Sequence, residues 1–458
     1  MPARRARPVT AVGKMLDYTP VRDPLQRSAS ELRSELRSEW ISLQTAVEAP
    51  VLSRAAANHP RRERLSFSNP IARGADPWVI QHAGHYYYCE PVTDTSIAIW
   101  KTDCFTRRGT RQIVWKAPRQ GWNSNLIWAP ELHRLDGRWF IYYAASAAPR
   151  ENASHRIGVL ECLTQDPLGA YIDRGMLYTG DDPLCRSDNR WAIDATVLEL
   201  HGQRYLLWSG WPDGADLQYL YIAPLKNPWT TAGPRVRLCD NATFDWERVS
   251  EDPRQRGLHE APQVLKHNDR VFVIYSCSAS WQETYKLGLL ELIGDDPLNP
   301  ATWRKHPQPV FRSSGDVFGV GHASFVKSPD GLEDWVVYHC KTSRAPGWRR
   351  VVCAQRFGWR PDGLPDFGQP VPWRQPLSLP SGSGGVDVLL DGSEDGISYP
   401  LRQLRCPRME AANSARVDLA ESRYAWRFGQ CPCEAPISFA GAGVIRDCRL
   451  CRATSTSA

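Results

Sequence analysis

The sequence predicts an all-β fold, a five-bladed β-propeller with a non-propeller leader before it and an atypical cysteine-rich tail behind it. Three observations carry the prediction. First, one short segment recurs: Ala75-Asp76-Pro77-Trp78-Val79, Trp128-Ala129-Pro130-Glu131-Leu132, Ile193-Asp194-Ala195-Thr196-Val197, Glu260-Ala261-Pro262-Gln263-Val264 and His322-Ala323-Ser324-Phe325-Val326. Second, counted from 75, 128, 193, 260 and 322, the copies stand 53, 65, 67 and 62 residues apart. Third, each copy opens a hairpin pattern. An apolar stretch leads to a turn such as Asp136-Gly137 or His201-Gly202, and then to a run such as Trp139-Phe140-Ile141-Tyr142-Tyr143. Units of about 60 residues hold four short strands each, which suits radial blades better than a sandwich or a helical solenoid.

The elements follow in chain order. Residues 1–65 form the leader. Leu32, Leu36 and Trp40 stand four apart with Glu and Arg between them, the spacing of one amphipathic helix. Residues 66–380 contain all five copies and form the propeller. The strand and turn rhythm fades at Ser381-Gly382-Ser383-Gly384-Gly385, and 381–458 is the tail. Five of the chain's 13 cysteines gather there: Cys406, Cys431, Cys433, Cys448 and Cys451. No histidine follows His339 and the pairs are not arranged as two zinc knuckles, so the tail is not read as a zinc site.

Composition narrows the function classes. The chain has 458 residues, 42% of them hydrophobic, enough to build a large core. Its net charge of +6 comes from scattered arginines, densest near the N-terminus, with no basic stripe inside the repeats, so nucleic acid is not an expected partner. No run of about 18 apolar residues is present, so no membrane-spanning helix is expected. Cysteines inside the repeats are dispersed among apolar strand residues, as buried free thiols are, rather than set out as a disulfide framework. The basic N-terminus lacks an apolar stretch of signal-peptide length, which reads as cytoplasmic.

Asp76, Asp194 and Glu260 each precede an apolar strand at the head of a unit. Blades around one axis bring equivalent strand ends together, so these acids converge on one central pocket. Breaking a glycosidic bond needs a carboxylic acid to protonate the leaving oxygen and a carboxylate to activate water or attack directly. Two of the three suffice, and the third can tune or orient. Nineteen tryptophans add the material for stacking on sugar rings.

Taken in order, Asn69-Pro70-Ile71 followed by Asp76-Pro77-Trp78-Val79, Trp128-Ala129-Pro130-Glu131, Ile193-Asp194-Ala195-Thr196-Val197, Glu260-Ala261-Pro262-Gln263-Val264 and Gly319-Val320-Gly321-His322 resemble glycoside hydrolase family 43. That family comprises five-bladed arabinofuranosidases, arabinanases and xylosidases, and the resemblance covers roughly 66–380. It implies an inverting mechanism in which Asp76 is the general base, Glu260 the general acid and Asp194 the carboxylate that orients the acid and raises its proton affinity. It also implies that His322 lies near the axis, where it can help hold calcium or another cation through water. No cofactor is otherwise required.

Trp78, Trp122 and Trp128 flank the strand starts where the pocket must open and are the candidates for its sugar-facing wall, with His322 beside them. The later strands look most like the α-L-arabinofuranosidase members, so the expected substrate is terminal arabinofuranose on arabinan or arabinoxylan oligosaccharides. A β-xylosidase, an endo-arabinanase and a non-catalytic carbohydrate-binding propeller remain open. A polysaccharide substrate points outside the cell, against the cytoplasmic reading of the N-terminus.

Overall fold

The computed structural model describes residues 66–147, 152–184, 187–212, 217–249 and 257–383. The helix expected near Leu32 and the cysteine-rich tail beyond Ser383 lie outside the described residues. Within them the expected five blades are present, each an antiparallel sheet. Blade 1 is built from Trp78–His82, His85–Thr93, Ser96–Thr102 and Thr110–Lys116, and blade 2 from Asn125–Leu135, Arg138–Ser146, Arg156–Cys162 and Tyr171–Met176. Blade 3 consists of Ala192–Leu200, Gln203–Gly210, Tyr219–Asn227 and Val236–Cys239, with the short Thr230–Thr231 also paired to its third strand. Blade 4 consists of Leu258–His267, Arg270–Ser278, Lys286–Leu292 and Trp303–Lys305.

Blade 5 closes the ring. Its own strands are Phe318–Lys327, Asp334–Lys341 and Arg350–Trp359, and its outermost strand is Ala72–Arg73, from the opposite end of the propeller sequence. Ala72 pairs with Val352 and Arg73 with Val351. Farther out, Ser66–Phe67 pairs with Leu377–Ser378. The first residues of the domain are thus fastened to its last strands, and the ring is held by backbone hydrogen bonds as well as by packing.

The second strand of each blade is covered on both faces, which explains why Arg138–Ser146 reads as an unbroken apolar run. The two-residue period still operates inside it. Trp139, Ile141 and Tyr143 pack toward blade 1, whereas Phe140 and Tyr142 pack toward blade 3. The same division holds in blade 4, where Val271, Val273 and Tyr275 face blade 3, and Phe272 and Ile274 face blade 5. Apolar clusters of this kind fill the gaps between successive blades all round the ring. The described cysteines of the strands are free thiols, buried except for the half-buried Cys239.

One local irregularity recurs at the head of every blade. Asp76, Ala129, Asp194, Ala261 and His322 all have positive φ, between 39° and 55°. In blades 2 to 5 the strand register shifts at the same place, between Trp128 and Glu131, Ile193 and Thr196, Glu260 and Gln263, and Gly321 and Ser324. A left-handed non-glycine residue costs on the order of 1–3 kcal/mol, and a bulge re-aims the neighbouring side chains. This geometry corrects the sequence alignment by one residue. Asp76 and Asp194 are equivalent to Ala261 and His322, whereas Glu260 is equivalent to Trp128, one step earlier. The recurrence at the five blade heads is structural, but the three acids do not occupy one repeated position.

Candidate active site

Asp194, Glu260 and His322 are placed by bulges at the mouth ends of innermost strands, and Asp76 stands just before the first strand of blade 1. Asp194 turns its carboxylate onto the neighbouring blade, where its Oδ2 accepts the backbone N–H of Ala261 at 3.0 Å. That bond ties the third carboxylate to the peptide following Glu260. Glu260 in turn accepts the hydroxyl of Tyr285 on Oε1 at 2.7 Å. Tyr285 reaches it across Gly321, where a Cβ would stand only 2.2 Å from the Tyr285 ring. A glycine is required at 321 for the aromatic ring to lie there.

Asp76 is embraced by three basic groups. Its Oδ1 lies 3.1 Å from His322 Nδ1, 3.1 Å from His339 Nδ1 and 3.1 Å from Arg350 Nη1. His339 Nδ1 is also 3.2 Å from the Asp76 backbone N–H. The ring of His339 is stacked on Tyr285 at 5.4 Å and 5°. The backbone N–H of His322 donates to Ser276 Oγ at 2.7 Å, and Ser276 is the register partner of Glu260. The base-side and acid-side carboxylates are therefore joined through Tyr285, His339 and the start of blade 5.

The electrostatics separate the carboxyls. Burial opposes the charge on Asp76, but Arg350 and His322 outweigh it and hold this carboxyl well below its usual range. Its side chain keeps 24% exposure, so water reaches it. Glu260 and Asp194 are buried, with only 7% and 4% exposure. Burial pushes Glu260 up, against the Tyr285 hydroxyl and His322, and the charge of Asp76 adds to the rise. Burial likewise pushes Asp194 up to about 7, helped by Glu260 and Asp76 and opposed by His322. For His322, burial disfavours the imidazolium, yet Asp76, Asp194 and Glu260 raise it to about 9. Burial and Arg350 lower His339 to about 4. At neutral pH the site holds an ionised Asp76, a cationic His322 and a neutral His339, with Glu260 and Asp194 both drawn toward their protonated forms.

The four expected wall residues fare differently. His322 is in the site, on Asp76. Trp128 is half-buried and stacks on His155 at 3.9 Å and 28°. It packs with Trp191 and Trp211, themselves stacked at 4.6 Å and 11°, beside Ile193. These form an aromatic wall next to Asp194. Trp78 is not part of it. Its indole donates to the Leu132 carbonyl at 2.8 Å and packs on His133, lining a cavity of about 470 Å³ farther down the axis. Two residues past Asp76, the strand has already carried it below the carboxylates. Trp122 is not part of the wall either. It stacks on Tyr143 at 6.2 Å, in the packing between blades 1 and 2.

Among the described residues, Asp76, His322 and His339 form a group whose ligand atoms lie within 4.8 Å of one another. Two imidazoles and one carboxylate, with Arg350 bonded to the same carboxylate oxygen, do not fit a calcium ion, which takes six to eight oxygens. A calcium near His322 would have to rest on water.

The five-bladed ring is matched by known proteins. The model of glycosyl hydrolases family 43 matches residues 67–365. The chain belongs to glycosyl hydrolase family 43.

Similar proteins include alpha-L-arabinofuranosidase 43 of Humicola insolens, 35% identical over 320 residues, which are 66% of this chain and 63% of that one. This chain thus spans less than two thirds of that relative. The extracellular exo-alpha-(1->5)-L-arabinofuranosidase of Streptomyces avermitilis is 33% identical over 387 residues, covering 81% of this chain and 74% of that one. Among solved structures, the alpha-L-arabinofuranosidase of Lactobacillus brevis superposes with a TM-score of 0.60 at 32% identity, over 68% of this chain and 98% of that one. No helix among the described residues is long and apolar enough to cross a membrane.

Sequence reading missed His339, Arg350, Tyr285, Trp191 and Trp211. None lies in the recurring segment. They stand at the mouth ends of later strands or in the loops between them, and only the shared end of the blades, the one that carries the acids, could have singled them out.

Proposed function

We propose that this glycoside hydrolase removes terminal α-L-arabinofuranosyl residues from arabinan or arabinoxylan oligosaccharides with inversion at the anomeric carbon. The observation that carries the reading is the division of labour between Asp76 and Glu260: one carboxyl kept ionised and open to water, the other buried and drawn toward its acid form. Opposed tendencies in a pair of carboxyls are the signature of an acid and a base.

In the proposed step, Asp76 accepts a proton from a water whose oxygen attacks the anomeric carbon. The glycosidic C–O bond breaks, and the leaving oxygen takes the proton of Glu260. Asp76 ends protonated and Glu260 ionised, and exchange with solvent restores both. Tyr285 occupies Oε1 of Glu260, which leaves the other oxygen to carry the proton toward the leaving group. Asp194 fixes the Glu260-Ala261 peptide and favours the protonated form of Glu260. Trp128 gives the sugar an apolar face. No step passes through a cation; one held near His322 through water is part of the proposal only as a support. A polysaccharide-derived substrate suits action outside the cell, as the name of the Streptomyces relative states for that protein.

The test is hydrolysis of p-nitrophenyl α-L-arabinofuranoside and p-nitrophenyl β-D-xyloside side by side, by the unaltered chain and by Asp76→Ala and Glu260→Ala. Preference for the arabinofuranoside, lost in Asp76→Ala, is the expected result. Preference for the xyloside, or turnover undiminished in Asp76→Ala, would overturn it.

A further inference from the structure

Trp348 is exposed to 64%, and among the described residues it is the only exposed aromatic side chain. An exposed tryptophan becomes informative when it is part of an apolar patch beside a site. The Arg350 guanidinium lies 5.3 Å from the Trp348 ring and 3.1 Å from Asp76 Oδ1, so the ring stands one side chain away from the site.

A second tryptophan flanks it. Trp281, half-buried, lies 5.6 Å from Trp348 at an interplanar angle of 49°. It belongs to blade 4, five residues beyond Ser276, the register partner of Glu260. The two loops are clamped together from below. The Gly347 N–H donates to the Trp281 carbonyl at 2.9 Å. Lys341 Nζ donates to the carbonyls of Trp281 at 2.8 Å and of Gly347 at 2.7 Å. Arg344 Nη1 adds a bond to Glu283 at 2.9 Å. The pair is a fixed ledge across blades 4 and 5 rather than two loose side chains.

We infer that Trp281 and Trp348 form a ledge that binds the sugar rings on the leaving side of the scissile bond. This rests on the arabinofuranosidase reading. Glu260 delivers its proton to the leaving oxygen; Trp281 rises from the blade that carries Glu260 and Trp348 meets it from blade 5, so the chain being released passes over the pair. Sugar rings present apolar C–H faces that stack on indole, and two tryptophans inclined to each other suit two successive rings of a bending chain. Trp128, on the far side next to Asp194, serves the ring that is cut off.

The test compares kcat/KM on ring-bearing leaving groups with kcat/KM on α-L-arabinofuranosyl fluoride, whose leaving group carries no ring. The probes are α-1,5-linked arabinotriose and an arabinofuranosyl-substituted xylotriose, with the full chain, Trp348→Ala, Trp281→Ala and the conservative Trp348→Phe. The ratio of oligosaccharide to fluoride should fall on the order of tenfold in each alanine variant and recover in Trp348→Phe. A fall confined to arabinotriose assigns the ledge to arabinan, and one confined to the substituted xylotriose assigns it to a xylan backbone. An unchanged ratio in both alanine variants, whether or not the absolute rates drop, would overturn the ledge. Hydrolysis of none of the three substrates by the unaltered chain would instead remove the arabinofuranosidase reading, and the ledge with it.

Discussion

The Tyr285 hydroxyl donates to Glu260 Oε1 at 2.7 Å, and it does so over a residue, Gly321, that has no side chain to obstruct it. A donated hydrogen bond favours the ionised carboxylate, so Tyr285 restrains the rise that burial imposes on Glu260. In Tyr285→Phe that restraint disappears and the acid becomes weaker. Because the general acid works in its protonated form, the alkaline limb of kcat/KM should move to higher pH. The orienting contact is lost as well, so the plateau should fall by about tenfold, a part of the 10²–10⁴ that a general acid supplies. A pH profile of kcat/KM in both proteins checks this, and an alkaline limb that stays in place would refute it.

Asp76 and His322 are linked in stability as well as in chemistry. The folded pKa of His322, about 9, lies above its ordinary 6.5, so the contribution is fully present below pH 6.5 and is lost as pH rises through 9. A shift of this size corresponds to roughly 3 kcal/mol. Asp76→Asn removes the strongest group raising His322. Denaturant unfolding between pH 6.5 and 9 should show stability declining in the unaltered protein and declining less steeply in Asp76→Asn. Parallel slopes would sink the linkage. The same variant should lose on the order of 10²–10⁴ in kcat through loss of the base.

How much of this was legible in the sequence depended on whether a residue belonged to the repeat. The blade count followed from the recurring segment, because each blade buries its second strand on both faces and must spend the same kind of apolar run doing so. Asp76, Asp194 and Glu260 were found because they sit within or beside that segment. Their equivalence was misread by one residue, since a bulge at positive φ is invisible in the residue pattern: Ala261 and His322, not Glu260, share the conformation of Asp76 and Asp194. Trp78 was placed in the wall because two residues look like proximity, but along a strand they carry a side chain down the axis. Arg350 and His339 could not be read at all. They reach Asp76 from more than 260 positions away, through ring closure rather than through any local signal.

In the proposed reading, Trp128 is the wall residue that touches the sugar. It is half-buried, it is held flat by His155, and it stands one residue before the bulge, as Glu260 does. Trp128→Ala should raise KM for the arabinofuranoside by about tenfold, the scale of one lost aromatic face, while kcat changes less. Steady-state kinetics separate the two parameters. An equal fall in kcat with KM unchanged would mean that Trp128 acts through the packing of Trp191 and Trp211 instead of through the substrate.

In the proposed mechanism, Arg350 sets how strong a base Asp76 can be. Burial alone would raise this carboxyl, and the guanidinium 3.1 Å from its Oδ1 is the largest influence in the opposite direction. A carboxylate so stabilised is ionised over the whole physiological range, but it is also weakly basic, so Arg350 trades proton affinity for certainty of charge. Arg350→Met keeps much of the volume beneath Trp348 and removes the cation. The pKa of Asp76 should then rise. A general base works in its ionised form, so the acid limb of kcat/KM should move to higher pH, opposite in sign to what a loss of the acid's proton affinity would do to the alkaline limb. The plateau can fall if Asp76 swings away once its anchor is gone, but the direction of the acid limb does not depend on that. An acid limb unmoved in Arg350→Met would show that His322 and His339 suffice to hold Asp76 ionised, and that the arginine serves the ledge above it rather than the base below.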